Sequence, residues 1–242
     1  MLVDESRPPV VRVKMDRLET RNRLDDCMLS ELIAAVDRAE ATPDARVLVL
    51  EAVGDTFCAG LSLGGVQEAD WRSRIGAVRT LLRRLSSSPL VTIAVVNGAA
   101  LGGGVGLAAA CDQVIAHPEA TFRMTEVLVG LVPATILPVV ASRVGEHRAF
   151  SLALMAKQVS ATEAEGIGLA DLLGGERELR GLVVGLRGAT NSAVRAMKDY
   201  RMKHFPPRFV KEDLVLEVLR ERLADTETRG RIDRLHENGL VS

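Results

Sequence analysis

The sequence predicts an α/β protein, because short apolar strands alternate along it with amphipathic helices. Residues 47–50 and 91–96 are apolar and rich in β-branched side chains, a pattern typical of strands that are buried on both faces. Residues 24–41 instead place apolar side chains three and four positions apart, as on one face of a helix. A length of 242 residues with 47% hydrophobic content is sufficient for a sizeable core.

The remaining elements follow from the same two patterns. Further strands are predicted at residues 10–15, 113–116, 120–122 and 169–173. Residues 54–63 are predicted to form a loop, since several of them are small. Helices are predicted at 71–85, 106–111, 137–144 and 146–156, with a helix or turn at 125–130 and a capped helix start within 159–165. Residues 176–239 are charged and helical, with a break at Pro206 and Pro207.

Composition excludes several classes of function. A net charge of −1 and an aromatic content of 3% argue against a nucleic-acid partner. Apolar stretches are interrupted by polar and turn residues, so we expect no membrane association and no signal peptide. Three cysteines without paired spacing predict reduced thiols and a cytoplasmic protein, and no spacing of ligands predicts a metal site.

The glycine run before the 106–111 helix is the first candidate site. Gly102, Gly103 and Gly104 carry no side chains, so their N–H groups can approach a negative oxygen at the positive end of the helix. Close packing of the helix on a strand is one alternative. A dinucleotide fingerprint is another, because Gly104, Gly106 and Ala109 fit G-x-G-x-x-A and Glu126 follows at about the expected distance. The next predicted strand ends before His117 rather than at that glutamate, so we favour an oxyanion or packing role.

Two further segments gain meaning beside the glycine run. Ala59, Gly60 and Leu61 form a loop of small residues that could expose a second N–H donor, although alone they indicate an ordinary loop. Glu126 lies in an apolar segment, where it is a surface carboxylate, a partner for Arg123, or a general acid/base with a raised pKa. Arginines at 72, 74, 79, 83 and 84 indicate a solvated helix face, or a surface that binds the phosphate of a carrier thioester.

Together these residues resemble the crotonase (enoyl-CoA hydratase/isomerase) superfamily over nearly the whole chain. The resemblance runs through segments 19–22, 57–60, 97–104, 111–112, 122–133 and 161–171. It implies an α/β fold built as a spiral of ββα turns in residues 1–185, with a C-terminal helical trimerisation region in residues 186–242. It also implies a homotrimer or a dimer of trimers that binds thioesters of coenzyme A or of acyl carrier protein, with no cofactor besides the substrate's own phosphopantetheine.

The resemblance further assigns roles to individual residues. The oxyanion donors are the N–H groups of Leu61 and Gly103. The segments around them, Ala59 with Gly60 and Gly102 with Gly104, are expected to bind substrate. Glu126 matches the second of the two glutamates used by hydratases of the family, whereas Gly106 stands where the first is expected.

A second departure is the segment 131–138, which lacks the glycines that hydratases carry after Pro133. Both departures are similar to the dehydratases of polyketide β-branching cassettes, which convert 3-hydroxy-3-methylglutaryl-carrier protein to the 3-methylglutaconyl form. Three alternatives stay open: a decarboxylase of the same superfamily, in which no glutamate is expected at position 126, a coenzyme A hydratase or isomerase, and a non-catalytic subunit that binds acyl thioesters.

Overall fold

Two sheets and a set of helices form the fold in the computed structural model, which describes residues 2–62, 68–205 and 211–237, with side chains for 8–62, 70–205 and 211–234. The strands are β1 Leu2–Arg7, β2 Val10–Met15, β3 Val47–Ala52, β4 Thr56–Cys58, β5 Val91–Val96, β6 Ala99–Leu101, β7 Gln113–Ala116, β8 Thr121–Arg123, β9 Val159–Ser160 and β10 Leu172–Leu173. The helices are α1 Asp26–Ala41, α2 Glu68–Ser87, α3 Gly103–Ala110, α4 Leu137–Val144, α5 Glu146–Leu154, α6 Ala161–Gly166, α7 Glu176–Gly185, α8 Asn191–His204, α9 Glu212–Ala224 and α10 Thr226–Glu237.

A repeated pair of consecutive strands connects the two sheets. The larger sheet has the order β1-β2-β3-β5-β7-β10, and the smaller one the order β4-β6-β8-β9. Each of the pairs β3/β4, β5/β6 and β7/β8 places its first strand in the larger sheet and its second in the smaller. Because helices follow these pairs, neighbouring strands within each sheet are parallel from β2 to β10 and from β4 to β8.

Apolar cores lie on both faces of the larger sheet. One face packs with α1, α2, α3 and α4 through fully buried side chains such as Leu29, Leu82 and Val140. The other face, which includes Val49 and Ile93, is covered by Leu179 of α7. Burial on both faces explains why β3 and β5 are continuous apolar runs rather than alternating ones.

The predicted elements are confirmed with specific exceptions. Strands β2, β5 and β7 and helix α4 have the predicted bounds, and Ser160 caps α6 with Glu163 in a capping box. The predicted 54–63 loop contains the short strand β4, and an earlier strand, β1, precedes the strand predicted to be first. Helix α3 begins at Gly103 rather than at residue 106, so the glycine run is partly helical. The predicted break at Pro206 and Pro207 lies outside the described residues.

Candidate active site

The glycine run forms the N-terminal end of α3. Gly102 caps the helix with a φ of 46°, a left-handed conformation that favours glycine, and its N–H donates to Arg123 O at 2.8 Å. Gly103 is the first helical residue, and within the described part of the chain its N–H donates no hydrogen bond. First-turn amides have no partner inside their own helix, so this N–H is available at the positive helix end.

The loop after β4 supplies a second free amide. Leu24 and Leu61 form an isolated parallel bridge, in which Leu24 N–H donates to Gly60 O at 2.8 Å and Ser62 N–H donates to Leu24 O at 3.2 Å. The bridge uses Gly60 O and Ser62 N–H, which lie on either side of the Leu61 N–H. The Leu61 N–H itself donates no hydrogen bond to the described residues. Because the Gly60 carbonyl faces Leu24, the Leu61 N–H of the same trans peptide points to the opposite side, and Gly60 has a φ of 89°, which favours glycine.

The two free amides lie close together. A Cβ atom on Gly60 would lie 3.6 Å from Gly103 N, and a Cβ atom on Gly103 would lie 3.6 Å from Leu61 N. A side chain at either glycine would therefore fill the space that both amides border. Paired N–H donors from separate segments are the arrangement that stabilises an oxyanion, so the predicted donors Leu61 and Gly103 are brought together by the fold.

The other glycines of the run serve packing. A Cβ atom on Gly104 would lie 2.6 Å from Cys58 O, so α3 packs directly on β4. At Gly106, a Cβ atom would lie 2.5 Å from Ile136 Cγ2. Protein atoms occupy the space beside both glycines, so the lack of a side chain at these positions serves close packing. The substrate-binding role expected for Gly104 stays a prediction, as does that of Ala59, whose N–H donates to Arg21 O at 3.0 Å.

Ile136 also accounts for the missing first glutamate. Its side chain stands where any side chain at position 106 would begin, so a carboxylate at 106 and an isoleucine at 136 exclude each other. The two departures from the hydratase pattern, at 106 and in segment 131–138, therefore meet at one contact. As a result, an apolar side chain fills this part of the site.

Glu126 lies beside the glycine run and is half-buried. It begins a 3-10 helix, Glu126–Val129, and its Oε1 lies 3.1 Å from the position a Cβ atom on Gly102 would take. Its Oε2 is buried and has no hydrogen-bond partner in the described residues. Burial raises the pKa of Glu126 to about 7, although backbone amides of Glu126 and Thr125 donate to the carboxylate and oppose the shift.

Two of the alternatives for Glu126 do not fit these facts, and its acid/base role stays a prediction. Arg123 is not its partner, because the Arg123 guanidinium donates to Ala156 O at 2.7 Å. A solvated surface carboxylate is also wrong, since one oxygen is fully buried and unpaired. A carboxyl with a pKa near neutrality can both accept and donate a proton, which is the property that a general acid/base requires.

A single cavity of about 70 Å³ connects these groups. Leu61, Gly103 and Glu126 all line it. The rest of the wall comes from α2, from the segment before α4 and from α9 and consists of Trp71, Ile75, Val78, Leu131, Val132, Pro133, Thr135, Ile136 and Leu219. The site thus combines two free amides and one carboxyl in a mostly apolar enclosure.

The arginines of α2 do not form one solvated face. Arg74 is buried, donates to both carboxylate oxygens of Asp26 at 2.9 and 2.7 Å, and donates to Ser62 O at 2.8 Å. Arg79 lies 3.8 Å from Glu212, whereas Arg72 is exposed. Arg74 therefore braces the loop that carries the Leu61 amide, and the idea that it contacts a carrier is wrong.

Sequence reasoning missed Arg74, Thr135 and Ile136 as site residues. The signal for Arg74 was present, because it falls on the same helical stripe as the buried Trp71 and Ile75. No local pattern indicated the other two, since their importance depends on contacts between distant segments. The thiol of Cys58 is buried, and burial raises its pKa to about 12, as expected of a spectator rather than a nucleophile.

Neither a membrane-spanning helix nor a cluster of metal ligands is found among the described residues. Within 2–62, 68–205 and 211–237, no helix is long and apolar enough to cross a membrane. In the same ranges, no group of three or more histidine, cysteine, aspartate or glutamate side chains could hold a metal ion.

Comparisons with known proteins place the chain in a family and agree with this fold. The family model described as enoyl-CoA hydratase/isomerase matches residues 5–208. The bacillaene synthase dehydratase PksH of Bacillus subtilis is 31% identical over 198 residues, which are 79% of this chain and 76% of PksH. A solved enoyl-CoA hydratase from Mycobacterium avium superposes with a TM-score of 0.87 at 27% identity, covering 98% of this chain and 96% of that one. The pksH structure from Bacillus subtilis gives a TM-score of 0.84 at 26% identity, covering 99% and 98% of the two chains.

Proposed function

The chain belongs to the enoyl-CoA hydratase/isomerase family, and from this premise we propose that it is a dehydratase that removes water from a 3-hydroxyacyl thioester. The observation that carries the proposal is the position of Glu126. Its carboxyl, with one buried and unpaired oxygen, lines the same cavity as Leu61 and Gly103, whose amides are free. With position 106 closed by Ile136, Glu126 is the one carboxyl among the described residues that line this cavity.

The reaction follows from these three groups. The thioester carbonyl oxygen accepts hydrogen bonds from the N–H groups of Leu61 and Gly103, which stabilise the negative charge of an enolate. Glu126 as carboxylate removes the α-proton, and the electron pair of the Cα–H bond forms the enolate. Glu126, now protonated, then gives this proton to the β-hydroxyl group. The C–O bond breaks, water leaves, the α,β-double bond forms, and Glu126 returns to its carboxylate state.

The raised pKa of Glu126 suits this double task. With a pKa of about 7, both protonation states are well populated near neutral pH, so one group can serve as base and then as acid. Removal of either amide donor would cost about 10²–10³ in rate, the usual magnitude for such a hydrogen bond.

We propose 3-hydroxy-3-methylglutaryl-acyl carrier protein as the substrate, converted to the 3-methylglutaconyl form in polyketide β-branching. The support is the name of the relative PksH, a dehydratase of bacillaene synthase, together with the departures from the hydratase pattern at Gly106 and in segment 131–138, which resemble the dehydratases of β-branching cassettes. The phosphopantetheine of the substrate would be the only prosthetic group that the reaction uses. A cytoplasmic homotrimer or dimer of trimers is the proposed assembly.

A second candidate function is hydration or dehydration of an uncharged acyl thioester of coenzyme A. It is favoured by one observation: no lysine, arginine or histidine is among the described residues that line the cavity. A dicarboxylic acyl chain would bring an unpaired carboxylate toward this apolar wall, which is costly unless the charge stays at the open side of the cavity.

Mass spectrometry separates these functions. The pure protein is incubated with 3-hydroxy-3-methylglutaryl-carrier protein, and loss of one water supports the proposed dehydratase. Hydration of crotonyl-CoA without that loss would indicate the second candidate. Carbon dioxide release from methylglutaconyl-carrier protein would indicate a decarboxylase, and binding without turnover on any substrate would indicate a non-catalytic subunit.

The carrier partner has its own test, at Arg72. This exposed residue lies on α2, the helix that lines the cavity through Trp71 and Ile75. We expect Arg72→Glu to raise KM for a carrier-bound substrate and to leave KM for a pantetheine substrate unchanged. Arg83→Glu, an exposed arginine at the far end of α2, is the matched control. An equal rise on both substrates would contradict a carrier contact at this position.

A further inference from the structure

The cavity around Glu126 has a second side chain with a polar group. Among its described lining residues, only Glu126 and Thr135 carry polar side-chain atoms other than the indole nitrogen of Trp71. Thr135 belongs to the segment before α4, the same segment that delivers Ile136 against Gly106. Thr135 therefore reaches the site through the same stretch that departs from the hydratase pattern.

Each of these two side chains has an oxygen without a hydrogen-bond partner among the described residues. Glu126 Oε2 is buried without a hydrogen-bond partner, and the Thr135 hydroxyl forms no hydrogen bond with other residues that the structure describes. Buried polar groups in folded proteins are nearly always paired, because an unpaired one costs its full desolvation energy. Glu126 Oε2 is such a buried, unpaired atom, whereas Thr135 is half-buried and its hydroxyl is open to a hydrogen bond from a polar group that enters the cavity.

The backbone holds Thr135 firmly in place. Ile136 N–H and Leu137 N–H both donate to Pro133 O, at 3.1 and 2.8 Å, and Ala134 N–H donates to Val132 O at 2.8 Å. Threonine is β-branched, so its χ1 rotamers are few. Thr135 is thus held at the cavity wall at little entropic cost, as a preorganised substrate contact requires.

We propose that Thr135 is a substrate-binding residue whose hydroxyl donates a hydrogen bond to the β-oxygen of the 3-hydroxyacyl chain, the oxygen that leaves as water. This inference rests on the proposed function. The contact orients the β-hydroxyl group so that Glu126 can protonate it, and the leaving water keeps the hydrogen bond as the C–O bond breaks. It also selects 3-hydroxyacyl chains over saturated chains of the same length, which offer no β-oxygen to the two polar groups.

Binding measurements test the contact independently of turnover. In a Glu126→Gln background, calorimetry gives Kd for 3-hydroxybutyryl-pantetheine and for butyryl-pantetheine. The Thr135→Val substitution keeps the shape of the side chain and removes the hydroxyl. We expect it to raise the Kd of the hydroxyacyl ligand by about three- to tenfold and to leave the Kd of the saturated ligand unchanged. Thr135→Ser, which keeps the hydroxyl, should retain the preference. Equal weakening of both ligands, or no change in either, would overturn the proposal.

The outcomes also separate this inference from the proposed function. If the Thr135→Val variant dehydrates the substrate with the kcat and KM of the wild type, the proposed function stands and the Thr135 contact is overturned. If the preference for the hydroxyacyl ligand depends on Thr135 but the protein removes no water from any 3-hydroxyacyl thioester, the contact stands and the proposed dehydratase activity is overturned.

Discussion

Replacement of Glu126 by glutamine is the change that examines the site most directly. The amide has nearly the shape of the carboxyl but does not titrate between pH 4 and 9. Burial raises the Glu126 pKa from 4.5 to about 7, which corresponds to about 3 kcal/mol between the folded and unfolded states. The same substitution removes the group that would move both protons.

The sign of the stability effect follows from the direction of the shift. Because the folded-state pKa of Glu126 lies above the unfolded value, the folded protein binds this proton more tightly. Below about pH 4.5 both states are protonated and burial carries no charge penalty. The free energy of unfolding then falls as pH rises to about 7, and the full penalty persists above it. Glu126→Gln avoids this loss, so its stability relative to the wild type should rise by about 3 kcal/mol over that interval.

Urea unfolding at pH values from about 4.5 to about 8.5 measures this difference, with Glu119→Gln, at an exposed position, as the matched control. Dehydration by Glu126→Gln should fall by about 10²–10⁴, and the wild-type pH–rate profile should change slope near pH 7. A stability difference that stays constant with pH would refute the burial of an ionisable carboxyl. Dehydration near the wild-type rate would refute its role as acid/base.

Three other substitutions probe the rest of the site. Gly60→Ala places a Cβ atom 2.9 Å from a backbone oxygen at a positive φ, so the Leu61 amide should shift and kcat should fall by about 10²-fold in a dehydration assay. Gly106→Glu meets the Ile136 side chain and should lower the free energy of unfolding by about 1–3 kcal/mol in urea titrations, without creating crotonyl-CoA hydration. Arg74→Met leaves the Ser62 carbonyl and Asp26 without their donor, so unfolding free energy should fall by about 1–3 kcal/mol and kcat should fall with it.

Each of these has a control within the chain. Gly181→Ala adds a Cβ atom at a helical glycine with nothing within 4 Å, so it should change neither kcat nor stability by much. Adding Ile136→Gly to Gly106→Glu should recover stability if the clash is the cause. Arg74→Lys keeps a positive charge but not the bidentate geometry, and full activity in that variant would contradict the bracing role.

Much of the fold was predictable because burial leaves a direct mark on sequence. Strands β5 and β7 are apolar on both faces, so their bounds could be assigned from residue type alone. The three-residue strands β4 and β6 were not predicted. They pair with each other in parallel, Thr56 opposite Ala99, and such a contact between segments 43 residues apart leaves no local periodicity. The charged strand β1 was missed for a related reason, since it lies at the sheet edge.

The candidate site, like the fold, could be predicted only in part from the sequence. The glycines of the two loops and Glu126 could be selected from sequence because their residue types are unusual where they stand. Whether Glu126 was a surface side chain or a buried acid was left open, since local sequence reports composition but not what other segments place around a carboxyl. Arg74 shows the opposite error: the helical stripe already contained the answer, but the charge was taken to mean exposure.

The sequence by itself determined the α/β class, the order of most elements, the resemblance to the crotonase superfamily and the residues from which a site could be built. These depend on local chemistry, namely side-chain periodicity, caps and glycine positions. Only the tertiary structure decided that the amides of Leu61 and Gly103 face one space, that Ile136 closes the place of a second carboxylate, and that Glu126 and Thr135 share a cavity wall. Such juxtapositions arise from packing between segments far apart in the chain, where close contact, burial and a raised pKa come from neighbours that no local pattern contains.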